Sequence, residues 1–226
     1  MKKVPCFILV RKNSKSIKNK NRLKFGKLSL VEKAINFVKK NYLVNDVVVS
    51  TDDKIISKIA IKKNCFTIFP RPKKLSSDTA RAEDAMRHAL KIYEKKFGST
   101  DISSYIQVTE IFKPKKILDK CIKVLKKNKN IDSCFAAYKQ YKNFWIEKKG
   151  YLQRISPYEE RYKPRQSKKP ILREDTGIAL ATRSKFIRKG ERIGKKVKCI
   201  QYDDPFYSFD LNTKKDLRMI KKIYKI

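Results

Sequence analysis

The chain has 226 residues, 41% of them hydrophobic, which is the size of one large α/β domain or two small ones with a substantial core, and we expect a single domain over residues 1–226. Lysine and arginine number 58 against 22 aspartate and glutamate, and a formal charge of +36 usually indicates a polyanionic partner. The lysines are spread over nearly every predicted helix and form no stripe interleaved with aromatic side chains, so the pattern favours a basic surface over a nucleic-acid groove. No run approaches the roughly 18 apolar residues of a transmembrane helix.

The cysteines and the amino-terminal segment indicate a cytoplasmic location. Five cysteines occur, widely spaced and without a C-x-x-C pair, which is typical of reduced thiols. The apolar run 4–10 is too short for a secretory signal and is followed at once by Arg11 and Lys12. We therefore expect a cytoplasmic protein with no membrane partner.

Apolar runs of strand length alternate with helical patterns through most of the chain. This order is typical of βαβ units, which build a largely parallel sheet with helices on both faces. Strands are predicted at residues 4–10, 47–49, 65–69, 105–108, 133–138, 177–181 and 197–201. Helices are predicted around 30–38, 55–60, 82–97, 117–125 and 217–223, where apolar residues recur at helical spacing.

Four of the predicted helices carry a signal at their start. One aspartate of the pair at 52–53 is placed to cap the second helix, and Asp78 is placed to cap the third. Pro114 fits the first turn of the fourth helix. Thr213 and Asp216 form a capping box for the last one.

Between about residues 140 and 170 the alternation of strands and helices stops. This segment is basic and carries the aromatic side chains Phe144, Trp145, Tyr151, Tyr158 and Tyr162. We interpret it as an inserted arm, because exposed aromatic side chains in such an excursion indicate a partner surface, and a twofold dimer is the commonest partner. The alternative is an ordinary hairpin packed on its own domain.

The loop after the first predicted strand is the first candidate for a binding site, since open parallel sheets bind ligands at the carboxyl ends of their strands. Its cations and hydrogen-bonding side chains include Arg11, Lys15, Lys20, Asn13, Ser14 and Asn21. Such a loop can surround a phosphate chain, and a triphosphate fits. Residues 4–25 contain no glycine, which excludes a Walker loop or a dinucleotide fingerprint. The alternative is a solvated, lysine-rich surface loop.

The same loop resembles the signature of the acylneuraminate cytidylyltransferase (CMP-N-acetylneuraminic acid synthetase) family, in which a strand runs into A-R-x-x-S-K and then K-N. The matching positions are Arg11, Ser14, Lys15, Lys20 and Asn21, with Val10 where alanine is usual. Residues 71–80, RPKKLSSDTA, resemble the family's R-P-x-x-L-x-x-D-T motif, and residues 207–217, YSFDLNTKKDL, resemble its D-I-D-T-x-x-D-L. The matches follow the family's order and cover nearly the whole chain.

The resemblance implies a Rossmann-like, three-layer α/β/α nucleotidyltransferase fold of GT-A-like type with a mostly parallel sheet, to which the segment 140–170 adds the inserted dimerisation arm. It implies a nucleotidyltransferase that transfers CMP from CTP to the anomeric hydroxyl of a nonulosonic, sialic acid-like sugar acid and releases pyrophosphate. The implied partners are CTP, the sugar acid and a second copy of the chain, and not nucleic acid.

The resemblance also implies roles for individual residues. Catalytic roles fall on Arg11, Lys15, Lys20 and Asp210. Nucleotide binding falls on Leu9, Val10, Arg11, Asn13, Ser14, Lys15, Asn21, Arg71 and Asp78. Sugar binding falls on Gln107, Arg165, Gln166 and Arg173. The residues implied to bind Mg²⁺ are Asp210 and Asn212.

Some positions depart from the family pattern and leave alternatives open. Where the family has L-Q-P-T-S-P, residues 106–111 read IQVTEI, so both prolines are replaced. Asn212 stands where the family has a second aspartate, and either Asp175 or Thr176 stands where it has an asparagine before glycine. The alternatives are a Kdo or other sugar nucleotidyltransferase, a family member that binds nucleotide without turnover, and a basic nucleic-acid-binding protein.

Overall fold

A seven-stranded sheet lies at the centre of the computed structural model, which describes residues 2–225. The strands are β1 (Pro5–Val10), β2 (Lys24–Phe25), β3 (Leu28–Ser29), β4 (Asp46–Thr51), β5 (Phe66–Ile68), β6 (Ile102–Ile106), β7 (Ser133–Gln140), β8 (Trp145–Lys148), β9 (Tyr151–Arg154), β10 (Ile171–Arg183) and β11 (Val197–Tyr202). The helices are α1 (Leu30–Lys39), α2 (Lys54–Lys62), α3 (Ala82–Phe97), α4 (Ile117–Lys127), α5 (Ser184–Arg188) and α6 (Lys214–Tyr224).

The strand order in the central sheet is β11-β7-β10-β6-β1-β4-β5. β1 pairs in parallel with β4 and β6, β4 with β5, and β7 with β11. β10 runs antiparallel between β6 and β7. The sheet is therefore mostly parallel, as predicted, with one antiparallel strand that the sequence pattern did not indicate.

Helices cover both faces of the sheet, because successive side chains of a strand point to opposite sides. Cys6 and Ile8 of β1 pack in a core that also contains side chains of α1, α2, α4 and α6. Phe7, between them in the chain, packs with side chains of α3 and α5. This arrangement confirms the predicted three-layer α/β/α fold.

Two of the predicted helix starts are wrong. The residue that precedes α3 is Arg81, so Asp78 lies outside the helix, where it forms ion pairs instead. α4 begins at Ile117 behind Lys116, which is left-handed with a φ of 59°, and Pro114 therefore precedes the first turn. The other two signals are confirmed: Asp53 accepts hydrogen bonds at the start of α2, and the capping box of Thr213 and Asp216 forms.

Several boundaries also differ from the predictions. β6 begins at Ile102 and ends at Ile106, earlier than the predicted 105–108. β10 has 13 residues, whereas only its apolar part at 177–181 was predicted. β2 and β3 form a small hairpin before α1, where no strand was predicted.

The chain leaves the central sheet between β7 and β10. β8 and β9 pair with each other as an antiparallel hairpin in a sheet of their own. Large side chains on and after this hairpin are exposed, including Trp145, Tyr151, Leu152 and Tyr162. Among residues 2–225, no helix combines the length and the apolar character needed to cross a membrane.

Candidate active site

A cleft of about 380 Å³ opens at the carboxyl ends of β1 and β6. The residues predicted for the site that line it are Leu9, Arg11, Asn13, Ser14, Lys20, Asn21, Arg71, Asp78, Gln107 and Asn212. They come from four separate stretches of the chain (9–21, 71–78, 107 and 212), which the fold brings to one edge of the sheet. The cleft is therefore where the sequence predicted a nucleotide site.

Side-chain bonds hold the loop that follows β1. Asn21 donates from Nδ2 to the carbonyl of Arg11 at 3.1 Å, which closes the loop on itself. The backbone N–H of Lys12 donates to Asp52 at 2.7 Å, which ties the loop to the end of β4. Arg22 forms an ion pair with the buried Asp53 at 3.4 Å. A loop without glycine is thus fixed by its neighbours.

Asp78 joins the loop to the opposite wall of the cleft. Its carboxylate lies 2.8 Å from Arg11 Nη1 and 3.5 Å from Lys15 Nζ. Arg11 also donates to the carbonyl of Ser77 at 3.0 Å. Lys15 itself is 78% exposed and reaches the site only through Asp78. An anionic ligand would replace Asp78 as the partner of these two cations.

Arg71 forms part of the back wall and is 5% exposed. Its backbone N–H donates to the carbonyl of Thr51 at 2.9 Å, and its Nε donates to Ser76 Oγ at 3.0 Å. Burial lowers the pKa of Arg71, and Asp52 opposes that shift. The guanidinium therefore has a fixed position and keeps donors for a ligand in the cleft.

Lys20 connects the first loop to the carboxyl-terminal segment. Its Nζ donates to the carbonyl of Leu211 at 2.9 Å, across 191 residues of sequence. Burial lowers the pKa of Lys20, and the negative charge of Asp210 opposes that shift. Leu211 in turn donates from its backbone to Thr109 at 3.0 Å. The cationic loop, the turn after β6 and the segment 210–212 therefore meet at one place.

A second cavity of about 290 Å³ is bordered by Glu110, Arg173, Asp175 and Asp210. Arg173, predicted to bind the sugar, forms two hydrogen bonds with Asp175 at 2.8 and 3.0 Å. Tyr202 donates its hydroxyl to the same carboxylate. Arg173 is therefore held in a fixed orientation beside Asp210.

Asp210 presents one carboxylate oxygen that has no hydrogen-bond partner. This atom, Oδ1, is buried, whereas Oδ2 accepts from Asn212 Nδ2 at 2.7 Å. Carboxylate oxygens suit Mg²⁺, which proteins usually bind through one or two carboxylates together with substrate phosphates. Among the described residues no group of three or more histidine, cysteine, aspartate or glutamate side chains forms a metal site. The donor set fits a cation that is shared with a phosphate ligand.

The sequence did not indicate two charged residues at this site. Lys113 donates its ammonium to the carbonyls of Gln107, at 2.9 Å, and Glu110. Burial lowers the pKa of Lys113 to about 8, opposed by Glu110. Burial also raises the pKa of Glu110 to about 7, opposed by Lys113 and reinforced by Asp210. The one signal was a pair of charges directly after a buried strand, at 110 and 113.

Four predicted residues line neither cavity: the exposed Lys15, and Val10, Arg165 and Gln166. Val10 is buried within β1, in register with Thr51 of β4, and offers only its backbone. Arg165 and Gln166 are exposed on the segment between β9 and β10, and Arg165 lies 5.1 Å from the centre of the Tyr141 ring. The structure does not bring these two residues to the cleft.

A cation-lined cleft at the carboxyl ends of a mostly parallel sheet places the protein among the nucleotidyltransferase-type α/β folds. The chain belongs to the cytidylyltransferase family, whose model matches residues 6–223. This match confirms the family predicted from the sequence motifs.

Individual relatives and solved structures agree with that family. The chain is 38% identical over 97 residues to the post-translational flagellin modification protein B of Campylobacter coli, and 33% identical over 97 residues to the CMP-N,N'-diacetyllegionaminic acid synthase of Campylobacter jejuni. Each match covers 43% of this chain and 41% of the relative. The fold superposes on a CMP:2-keto-3-deoxy-manno-octonic acid synthetase complexed with CTP, with a TM-score of 0.70, 12% identity and coverage of 99% of this chain and 98% of the other.

Proposed function

We propose that the protein transfers CMP from CTP to the anomeric hydroxyl of a nonulosonic sugar acid and releases pyrophosphate. The hydrogen bond from Lys20 to Leu211 carries the proposal, because it joins the cationic loop to the segment 210–212, which contains Asp210. The family match supports a cytidylyl transfer. The relative named as a legionaminic acid synthase supports a nine-carbon sugar acid of the kind called sialic, legionaminic or pseudaminic acid as acceptor.

The proposed reaction is an in-line displacement at the α-phosphorus of CTP. The anomeric oxygen forms a bond to phosphorus as its proton leaves, and the bond from phosphorus to the β-phosphate oxygen breaks, releasing pyrophosphate. Arg11, Lys15 and Lys20 would neutralise the triphosphate and the charge that develops on the leaving group. Arg71 and Asn21, with the end of β1, would hold the cytosine and ribose.

We propose that Asp210 holds a Mg²⁺ shared with the triphosphate. When bound, this ion would offset negative charge on the reacting phosphates. The orphaned Oδ1 of Asp210 supports this assignment. Asn212 donates its amide N–H to Asp210, so its own Oδ1 is the atom left for a cation.

The sugar acid is proposed to lie between Gln107 and Arg173. Gln107 lines the main cleft, and Arg173 borders the adjoining cavity beside Asp210. The positive charge of Arg173 suits the carboxylate of the acceptor. Roles for Arg165 and Gln166 stay predictions from the family resemblance. We expect the reaction in the cytoplasm, in keeping with the five free cysteines.

Pyrophosphate release tests this function. The protein is incubated with CTP, Mg²⁺ and, separately, sialic, legionaminic, pseudaminic and Kdo acids, with ATP, GTP and UTP as nucleotide controls. We expect turnover with CTP and a nine-carbon acid. Turnover with Kdo alone would favour the related cytidylyltransferase, and a folded protein that turns over none of these acids would contradict the proposal.

Lys20 provides a matched pair of variants for the same assay. Lys20→Met removes a charge-assisted contact to the transition state, so kcat/KM should fall by about a hundredfold to a thousandfold. Lys24→Met removes an exposed lysine from the following hairpin and should leave kcat/KM unchanged. Equal activity of the two variants would show that Lys20 does not act on the phosphates.

A further inference from the structure

We propose that Glu110 supplies a second carboxylate to the metal site, in the place of the acidic charge that Asn212 lacks. This inference rests on the proposed function and concerns a residue that the family motif does not contain. Glu110 stands where the motif L-Q-P-T-S-P has serine. A cation shared by Glu110, Asp210 and the phosphates would have the two carboxylates that protein Mg²⁺ sites commonly use.

The backbone places Glu110 directly beside Asp210. The two residues form an isolated antiparallel bridge, and the neighbouring Leu211 donates its N–H to Thr109 at 3.0 Å. Both side chains border the cavity of about 290 Å³. Each carboxylate has one buried oxygen without a hydrogen-bond partner, Oε2 of Glu110 and Oδ1 of Asp210. Two orphaned anionic oxygens at one place are costly unless a cation or a proton satisfies them.

The position of the Glu110 side chain depends on Gly177 of β10. A Cβ atom at residue 177 would lie only 2.2 Å from Oε1 of Glu110 and 2.8 Å from its Cδ. The carboxylate therefore occupies the space that any other side chain at that position would fill. The ammonium of Lys113 holds the turn that carries Glu110 by donating to the carbonyls of Gln107 and Glu110. Glu110 is thus positioned by contacts on two sides and is not a freely moving surface side chain.

Asn212 also orients Asp210 in this arrangement. Its Nδ2 donates to Asp210 Oδ2 at 2.7 Å, which leaves Oδ1 of Asp210 directed elsewhere. Asn212 would therefore orient Asp210, while Glu110 contributes the missing negative charge. The two sequence departures, serine to Glu110 and aspartate to Asn212, then compensate each other.

Mn²⁺ binding to the protein–CTP complex tests this assignment without turnover, because no sugar acid is present. Free Mn²⁺ is measured by electron paramagnetic resonance while it is titrated into the parent protein and into Glu110→Gln. The variant keeps the size of the side chain and removes its charge. We expect its Mn²⁺ affinity to fall by about tenfold to a hundredfold, with CTP binding in EDTA unchanged. Thermal melting checks that each variant is folded.

Two further variants make the outcome specific. Glu174→Gln removes an exposed carboxylate from the rim of the same cavity and should bind Mn²⁺ like the parent. Asn212→Asp in the Glu110→Gln background should recover much of the lost affinity. If Glu110→Gln binds Mn²⁺ like the parent while Asp210→Asn loses affinity, the role of Glu110 is overturned and the proposed function is not. A parent protein that binds neither CTP nor Mn²⁺ would overturn the proposed function as well.

Discussion

Glu110 and Lys113 place two opposite charges in a poorly hydrated part of the site. Burial raises the pKa of the Glu110 carboxyl to about 7 and lowers the pKa of the Lys113 ammonium to about 8. Each group opposes the shift of the other, because the charged forms attract. Both groups therefore change their protonation close to neutral pH, and the free energy of unfolding depends on pH through both of them.

Glu110→Gln should change this pH dependence. In the metal-free folded chain Glu110 keeps its proton up to about pH 7, whereas the unfolded chain releases it near pH 4.3. The folded state therefore binds more protons in this window, and the free energy of unfolding falls as the pH rises, by at most about 1.4 kcal/mol per pH unit. Urea unfolding in EDTA at a series of pH values should show this fall in the parent and not in Glu110→Gln. Parallel curves would contradict the raised pKa.

Asp78 shows what a single sequence can predict about such residues. The family motif marked Asp78 as part of the nucleotide site, and the residue does line the cleft. Its predicted local role was wrong, because Arg11 and Lys15, more than 60 positions away, attract the carboxylate away from α3. Glu110 was missed for a related reason, since its importance comes from a pairing with Asp210 that no local pattern contains. Residue types were predictable, and their long-range partners were not.

At the scale of elements, the start of α6 organises the segment that carries Asp210. Thr213 Oγ1 accepts from the backbone of Asp216 at 3.2 Å, and Asp216 accepts from the backbones of Thr213, at 2.6 Å, and Asn212, at 2.9 Å. This capping box fixes the chain directly after Leu211. α6 therefore begins directly after the segment 210–212, and its N-terminal cap stabilises both the helix and that segment.

Thr213→Ala should weaken the helix and the site together. Loss of an N-cap side chain costs about 1 kcal/mol of stability, which urea unfolding would measure. Freedom of the segment 210–212 should also raise the concentration of Mn²⁺ needed for binding in the presence of CTP. Lys214→Ala, an exposed change one residue further on, should alter neither quantity. If Thr213→Ala matches the parent in urea unfolding and in Mn²⁺ binding, α6 is held by its packing alone.

β10 marks the limit of sequence reasoning about elements. Its apolar residues at 178–181 gave a correct strand, but its full extent, Ile171–Arg183, includes charged residues that show no strand period. Its direction depends on β6 and β7, which flank it in the sheet and are distant in sequence. Alternating apolar runs predicted a parallel sheet and could not reveal the one reversed strand.

At the scale of the whole molecule, the hairpin of β8 and β9 exposes several large apolar side chains. Trp145 is 52% exposed, Tyr151 80% and Leu152 68%. Trp145 and Leu152 share one face of the hairpin and Tyr151 lies on the other. Large apolar side chains exposed in this way indicate a contact surface, and a twofold partner is the commonest one. We therefore propose a homodimer formed through this arm.

The triple change of Trp145, Tyr151 and Leu152 to serine tests the dimer. Sedimentation equilibrium should give twice the chain mass for the parent and the chain mass, 26.6 kDa, for the variant. The circular dichroism spectrum should stay unchanged, since these side chains lie outside both cores. A parent protein that stays monomeric at tens of micromolar would contradict the proposal.

The bond between Lys20 and Leu211 has a consequence during synthesis of the protein. The ribosome adds Lys20 191 residues before it adds Leu211, whose carbonyl accepts the bond. A nascent polypeptide can pair β1 with β4 long before the ribosome reaches residue 211. Part of the sheet can therefore form while the segment 210–212 is still missing. A nucleotide would then be bound by both segments only after residue 211 has been made, and translation products that stop before residue 211 would lack this contact.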